Sequence, residues 1–349
     1  MTGGTQVALK INQQGVPRMF DLIQNLESNR PDVPKVEPKN KSQKSYSHEG
    51  IDETALTYLM NAKVLMKHEE FELALSLLRQ ASSRHPKNLE ILKNLGLALE
   101  ALSKWSEAKI VYTELTKQNN NFYYFYKKAN SLYMLNDNEA ALNAYFEALS
   151  HLVEEETELF NLYKNMGNIY VRNKDYDAAE ESYNKAYTMN SESDALLINF
   201  GTLEVQREDF DKALFCFRKA IEINPRSDKA WIGLALVHNH FGDHELAWGN
   251  VIKALDIDPY NRTAVLLLGH WGNTEDKINI SLKYHLSYLE QNEFDEEVSL
   301  QLIQIYSQLG QIEYAENEAL KLRLWYPENP SYQKLFEEIR NKTSTEESK

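Results

Sequence analysis

The sequence has almost no cysteine, no long apolar run and no excess of basic residues. Its single cysteine, Cys216, cannot form an intrachain disulfide, which fits a reducing compartment such as the cytoplasm. No stretch approaches the roughly eighteen apolar residues that a membrane-spanning helix needs. The N-terminus also lacks the charged start and the apolar run of a secretion signal. We therefore expect a cytoplasmic protein without a membrane span.

Positive charge is scarce relative to negative charge. The chain has 52 Asp and Glu residues against 38 Lys and Arg residues, which gives a net charge of −14. A field of this sign repels phosphate backbones, so we expect no nucleic-acid partner.

Proline is rare after the first fifty residues. Four of the 9 prolines are Pro17, Pro31, Pro34 and Pro38, and a polar run follows them. This segment has too little apolar surface to offset the chain entropy lost on folding. We predict that residues 1–50 form a disordered N-terminal arm.

One short apolar motif interrupts the predicted arm at residues 18–27. A helix there would carry most of its large apolar side chains on one face. Two interpretations stay open: a segment that folds on a partner or on the chain's own surface, or a frayed helix that caps the array. The candidate docking residues are Met19, Phe20, Leu22, Ile23 and Leu26.

Small residues recur with a spacing of thirty-four from residue 160 onward. One series contains Ala179, Ala213, Ala247, Ser281 and Ala315, and glycines such as Gly167 and Gly201 precede it by about twelve residues. A period of thirty-four with small residues in this order, and with prolines between units, resembles the tetratricopeptide repeat family. The resemblance covers about 290 residues.

The resemblance implies an all-α fold, an α-solenoid in which antiparallel helix pairs stack into a right-handed superhelix. We predict a superhelix over 51–342 and a disordered tail at 343–349. Its units, called repeats one to eight below, are 55–88, 89–121, 122–159, 160–193, 194–227, 228–261, 262–295 and 296–329, with a capping helix at 330–342. Repeat three carries four extra residues in its second helix or in the loop after it.

In this family the first helix of each repeat lines a concave groove. The corresponding places here are polar, rich in amides and basic, and asparagine can pair with both the N–H and the C=O of an extended peptide. The resemblance therefore implies a peptide-binding groove formed by Asn94, Tyr123, Tyr126, Asn130, Lys164, Asn165, Asn168, Arg172, Asn199 and Lys229.

Lys164, Asn168, Asn199 and Lys229 also occupy four of the five places of the family's carboxylate clamp, which binds the C-terminal carboxylate of a partner peptide. The fifth place, usually arginine, is Gly233. Lysine does not replace the bidentate arginine fork. A peptide-backbone groove, a true clamp and simply solvated polar helix faces all remain open.

The run 121–126 has the highest aromatic density of the chain. We expect Tyr123 and Tyr126 to face the groove as anchors for a partner, and Phe122 and Phe125 to pack between repeats. Ordinary packing between helices is the alternative for each of them.

No catalytic motif, metal site or cofactor site is apparent. No cysteine and no HExxH motif accompanies His238, His240 and His244 to complete a zinc site, and no phosphate-binding glycine loop or nucleophile elbow occurs. We expect a non-catalytic adaptor or scaffold with no cofactor, which binds another protein through an extended or short helical peptide. The alternative is a self-associating or autoinhibited protein whose residues 18–27 occupy its own or a neighbour's groove. Deletion of residues 1–50 would distinguish the two.

Overall fold

The computed structural model describes residues 51–153, 157–272 and 276–346, and every regular element in those ranges is an α-helix. The predicted N-terminal arm and its docking motif lie outside the described residues. The all-α class predicted from the repeats is confirmed. The chain divides into two compact units at Ser191 and Glu192, which we call the N-terminal half and the C-terminal half.

The N-terminal half contains eight helices, two for each of repeats one to four. Consecutive helices pack against each other as antiparallel pairs. The helices are α1 Glu53–Lys67, α2 Phe71–Arg84, α3 Leu89–Ala101, α4 Trp105–Gln118, α5 Phe122–Met134, α6 Asn138–Ser150, α7 Leu159–Arg172 and α8 Tyr176–Met189. Helix α6 is no longer than the second helices of the other repeats, so the extra residues of repeat three lie in the connection that follows it.

The C-terminal half continues the same pairing through repeats five to eight and ends in a single helix. Its helices are α9 Asp194–Gln206, α10 Phe210–Ile223, α11 Asp228–His240, α12 His244–Ile257, α13 Arg262–Trp271, α14 Ile278–Gln291, α15 Glu296–Gln308, α16 Ile312–Trp325 and α17 Pro330–Glu346. Helix α17 extends four residues beyond the predicted end of the capping helix at residue 342. No described helix is both long enough and apolar enough to cross a membrane.

Polar caps set where the first helix of a repeat begins. In seven repeats an Asp, Asn or Ser side chain accepts a hydrogen bond from an N–H of the first turn, which would otherwise lack a partner. These caps are Asp52, Asn88, Asn121, Ser193, Ser227 and Asn261, and Asp295 does the same for repeat eight. The local sequence thus sets the start of these seven repeats, whereas Glu158 before the first helix of repeat four makes no such hydrogen bond.

The periodic alanines lie where the helices of a pair approach each other. Ala179, Ala213, Ala247 and Ala315 are fully buried, and Ser281 is 1% exposed. A small side chain there lets two helices pack closely, while larger side chains nearby fill the space between repeats. The thirty-four-residue period is therefore a period of helix contacts.

Repeat seven differs from the others in its core. Its His285 takes the place of the aromatic residues found in repeats two to five, and the ring is fully buried on α14. The Nδ1 atom lies 2.7 Å from the Ser281 carbonyl, and Nε2 lies 2.9 Å from Oε1 of Gln301. The Gln301 amide in turn donates to the Leu266 carbonyl at 3.1 Å. Burial lowers the pKa of His285 below its ordinary value of 6.5.

This lowered pKa predicts that the C-terminal half loses stability in mild acid. The folded state favours neutral His285, so its contribution is fully present above pH 6.5, the unfolded value. That contribution is lost as the pH falls from 6.5 towards the folded pKa. We expect the urea midpoint of wild type to fall more between neutral pH and about pH 5.5 than the midpoint of His285→Gln. Parallel profiles would contradict this. The exposed His68 supplies the control, since His68→Gln should retain the wild-type profile.

Candidate functional site

The predicted groove residues lie on the first helices of repeats two to six. Eight of them belong to the N-terminal half, on α3, α5 and α7, whereas Asn199 and Lys229 belong to the C-terminal half. We call the side chains of α3, α5 and α7 at these eight places the polar wall. Its members are Asn94, Tyr123, Tyr126, Asn130, Lys164, Asn165, Asn168 and Arg172.

Two asparagines of the polar wall meet around one tyrosine hydroxyl. The Tyr145 hydroxyl donates to Oδ1 of Asn130 at 2.6 Å, and Nδ2 of Asn165 donates to the Tyr145 hydroxyl at 3.1 Å. Nδ2 of Asn165 also lies 3.3 Å from Oδ1 of Asn130. The ring of Tyr145 is fully buried, and burial raises its pKa, so the hydroxyl keeps its proton. These contacts fix the Asn165 side chain through its nitrogen.

A second network surrounds Asn168, which is only 1% exposed. Its Nδ2 donates to the Tyr133 hydroxyl at 2.9 Å, and its Oδ1 accepts from the Tyr183 hydroxyl at 2.8 Å. Arg172 donates to the Tyr133 hydroxyl at 3.2 Å and lies over the Tyr133 ring, 4.8 Å from its centroid. Asn168 is therefore a buried link between two helices of its own repeat and the preceding repeat.

Three of the four residues at the places of the carboxylate clamp, Lys164, Asn168 and Asn199, are buried. Asn199, like Asn168, is 1% exposed, and Lys164 is 6% exposed with its Nζ 5.5 Å from the ring centroid of Phe160. Lys229 is half-buried in the C-terminal half. Of these four residues, Lys229 alone presents a substantial part of its surface to solvent.

The structure also explains the glycine at the fifth clamp place. A Cβ atom at Gly233 would lie 2.4 Å from Cε1 of Phe217, a ring that is fully buried. Because real Cβ contacts are not this short, the ring of Phe217 occupies the space that any side chain at residue 233 would need. The missing arginine is thus a consequence of core packing in repeats five and six.

The aromatic run 121–126 is mostly core. Tyr126, predicted to be an anchor in the groove, is 5% exposed and stacks on Phe122 with 5.9 Å between ring centroids. Phe125 is also buried, as expected. Tyr123 is half-buried, so it is the aromatic side chain of the predicted pair that solvent reaches.

Two lysines that are not members of the polar wall lie near Tyr123. Nζ of Lys93 and Nζ of Lys127 lie 5.5 Å and 5.6 Å from the Tyr123 ring centroid. Lys127 pairs with Glu100 at 2.7 Å, and both side chains are largely buried. Burial raises the pKa of Glu100, and the neighbouring Lys127 opposes this shift.

Sequence reasoning missed the partners of the buried asparagines. Tyr145 follows Asn130 by fifteen residues, and Tyr183 follows Asn168 by the same spacing. This spacing places the asparagine on the first helix of a repeat and the tyrosine on the second, facing it. An asparagine followed by a tyrosine fifteen residues later is a signal that could have identified these pairs.

Family models support the repeat assignment. A tetratricopeptide repeat model matches residues 158–226, and a second model with the same description matches residues 59–121 and 198–262. No curated protein matches the sequence.

Solved structures of low identity share the fold. A tetratricopeptide repeat protein from Parabacteroides merdae is 20% identical, with a TM-score of 0.60 over 73% of this chain and 99% of that chain. Yeast Tom70 is 14% identical, with a TM-score of 0.65 over 93% of this chain and 70% of that chain. PilF of Pseudomonas aeruginosa is 15% identical, with a TM-score of 0.51 over 64% of this chain and all of that chain.

Proposed function

The chain belongs to the tetratricopeptide repeat family, and we propose that it is a non-catalytic adaptor that binds a peptide segment of another protein. The proposed site is the polar wall of the N-terminal half, on α3, α5 and α7. Asn94 and Asn165 contact the main chain of the peptide, and Tyr123 contacts one of its side chains. Asn168 and Asn130 position the neighbouring groups from below the surface.

The fixed orientation of Asn165 carries this proposal. Its nitrogen is held by Asn130 and by the Tyr145 hydroxyl, while no described group donates to its Oδ1. The side chain is half-buried, so the acceptor is oriented before a ligand arrives. An acceptor held in place in this way loses little entropy when it accepts a peptide N–H.

Asn94 repeats this arrangement two repeats earlier. It occupies the same place in repeat two as Asn165 in repeat four, and its Nδ2 donates to the Glu90 carbonyl at 2.7 Å. Its Oδ1 also has no described donor, and the side chain is half-buried. Two acceptors at one place of the repeat suit a peptide main chain, which offers N–H groups regardless of its side chains.

The test compares Asn94→Ala/Asn165→Ala with wild type in the full-length chain. A partner is first identified by affinity purification, and the affinity of its binding peptide is then measured. Loss of two hydrogen bonds to the peptide, at about 1 kcal/mol each, predicts an affinity lower by roughly tenfold or more.

A matched control is Asn120→Ala/Asn317→Ala, because both of these asparagines are exposed. It should bind the peptide as wild type does. Equal affinities for wild type and for Asn94→Ala/Asn165→Ala, with unchanged circular dichroism, would exclude the polar wall as the site.

A further inference from the structure

Two lysines from neighbouring repeats converge on one tyrosine ring. Lys93 lies on α3 of repeat two, whereas Tyr123 and Lys127 lie on α5 of repeat three. Both Nζ atoms are within 6 Å of the Tyr123 ring centroid, at 5.5 Å and 5.6 Å, a distance at which an ammonium is attracted to the ring. Two ammonium groups therefore lie beside the Tyr123 ring of the polar wall.

The charge of these lysines is only partly neutralised. Lys127 of repeat three forms its ion pair with Glu100 of repeat two. Lys93 forms no ion pair with any carboxylate in the described part of the chain. Because Lys93 is half-buried, its ammonium is less well hydrated than one on an exposed side chain, and a counter-ion there would be more strongly held than at an exposed lysine.

Tyr123 adds a hydrogen-bond donor. Burial raises the pKa of its hydroxyl, with Glu100 and Glu158 acting in the same direction, so the group stays protonated at neutral pH. Tyr123 also lies in the first turn of α5, which contains no acidic residue and is capped by Asn121. The partial positive charge of the helix N-terminus is therefore not offset by a side chain of that turn.

We propose that Lys93, Tyr123 and Lys127 form a subsite for one anionic side chain of the bound peptide, a carboxylate or a phosphate. The ammonium of Lys93 and the hydroxyl of Tyr123 contact the anion directly, and Lys127, whose charge the ion pair with Glu100 offsets, lies against the Tyr123 ring beside them. This subsite rests on the proposed peptide-binding function and deepens it. It shares no residue with the clamp-like set of Lys164, Asn168, Asn199 and Lys229.

The experiment selects binders from a random peptide library with the full-length chain. Wild type and Lys87→Gln/Lys117→Gln, which loses the same charge at two exposed lysines, should both enrich Asp or Glu at one peptide position. Lys93→Gln/Lys127→Gln should select peptides without this enrichment. Lys93→Gln alone leaves the ion pair of Lys127 and Glu100 intact, so it should reproduce the loss even if the double variant folds poorly.

Affinity measurements on one selected peptide then test the chemistry. Replacement of its acidic residue by the matching amide should weaken binding to wild type by about tenfold and should leave binding to Lys93→Gln nearly unchanged. A peptide with phosphoserine at the same position distinguishes the two anions. If it binds wild type more tightly than the peptide with Asp or Glu does, the subsite is assigned to phosphate; if it binds more weakly, the subsite is assigned to carboxylate. The acidic preference should decrease as salt is added.

Two results would overturn the subsite, and they differ in what else they exclude. If all variants select the same peptides with no acidic position, the subsite is wrong while peptide binding stands. If the library yields no binder for wild type, the proposed function fails and the subsite fails with it.

Discussion

Gly167→Ala is expected to destabilise the N-terminal half by about 2 kcal/mol. A Cβ atom at residue 167 would lie 2.2 Å from Cε1 and 2.3 Å from Cδ1 of Tyr183. The ring cannot withdraw easily, because it is 1% exposed and its hydroxyl is bonded to Asn168. The cost of this overlap exceeds the gain of about 1 kcal/mol that alanine brings over glycine in a helix interior. Urea unfolding followed by circular dichroism measures the difference.

Gly249→Ala is the matched control, with the opposite expected sign. Gly249 also lies inside a helix, α12, but a Cβ there would meet nothing within 4 Å. Only the higher helix propensity of alanine over glycine remains, so the variant should be more stable than wild type by about 0.5–1 kcal/mol. Stabilisation by both substitutions would show that Tyr183 does not constrain Gly167.

The contact between Gly167 and Tyr183 also shows how far the sequence alone specifies the fold. The thirty-four-residue series of small residues predicts helix pairs, because close helix packing requires small side chains at fixed intervals. Gly167 and Tyr183 are separated by sixteen residues, as are Gly96 and Tyr112, and Gly201 and Phe217. The structure packs each of these pairs together. The sequence spacing of these residues therefore predicts the contact between the two helices of a repeat.

The candidate site was less predictable, for a physical reason. A position on the first helix indicates which way a side chain points, but its exposure depends on what the second helix places over it. Asn168 was predicted to contact a peptide, yet Tyr183 and Tyr133 occupy its polar atoms. Gly233 was interpreted as an absent arginine, yet Phe217 fills that space. In both cases an aromatic side chain from another helix determines the outcome.

Asn168→Ala is expected to destabilise the N-terminal half by about 2–3 kcal/mol. The substitution removes a hydrogen bond from each of two tyrosine hydroxyls, Tyr133 and Tyr183, and leaves a space around them. Loss of a hydrogen bond by a buried polar group costs about 1–3 kcal/mol, because the group was desolvated on folding. The measurement is again urea unfolding of the full-length chain.

Asn130→Ala is the comparison that isolates burial. Asn130 bonds to Tyr145 across the same fifteen-residue spacing, at 2.6 Å, but Asn130 is half-buried whereas Asn168 is 1% exposed. Solvent reaches the position of Asn130, so water can take the place of its side chain, and the fully buried Tyr145 hydroxyl keeps its hydrogen bond from Asn165. The loss of stability should therefore be smaller for Asn130→Ala than for Asn168→Ala. Equal losses would contradict the role assigned to burial.

A double-mutant cycle with Tyr183→Phe separates the hydrogen bond from the space left by the side chain. Tyr183→Phe keeps the ring against Gly167 and removes only the hydroxyl from which Asn168 accepts a hydrogen bond. If the two residues stabilise the repeat through this bond, Asn168→Ala should cost less when Tyr183→Phe is already present, with a coupling of about 1–2 kcal/mol. Strict additivity would show that the bond contributes nothing to stability. A measured coupling would assign Asn168 a structural role within the polar wall, in which Asn94 and Asn165 contact the peptide.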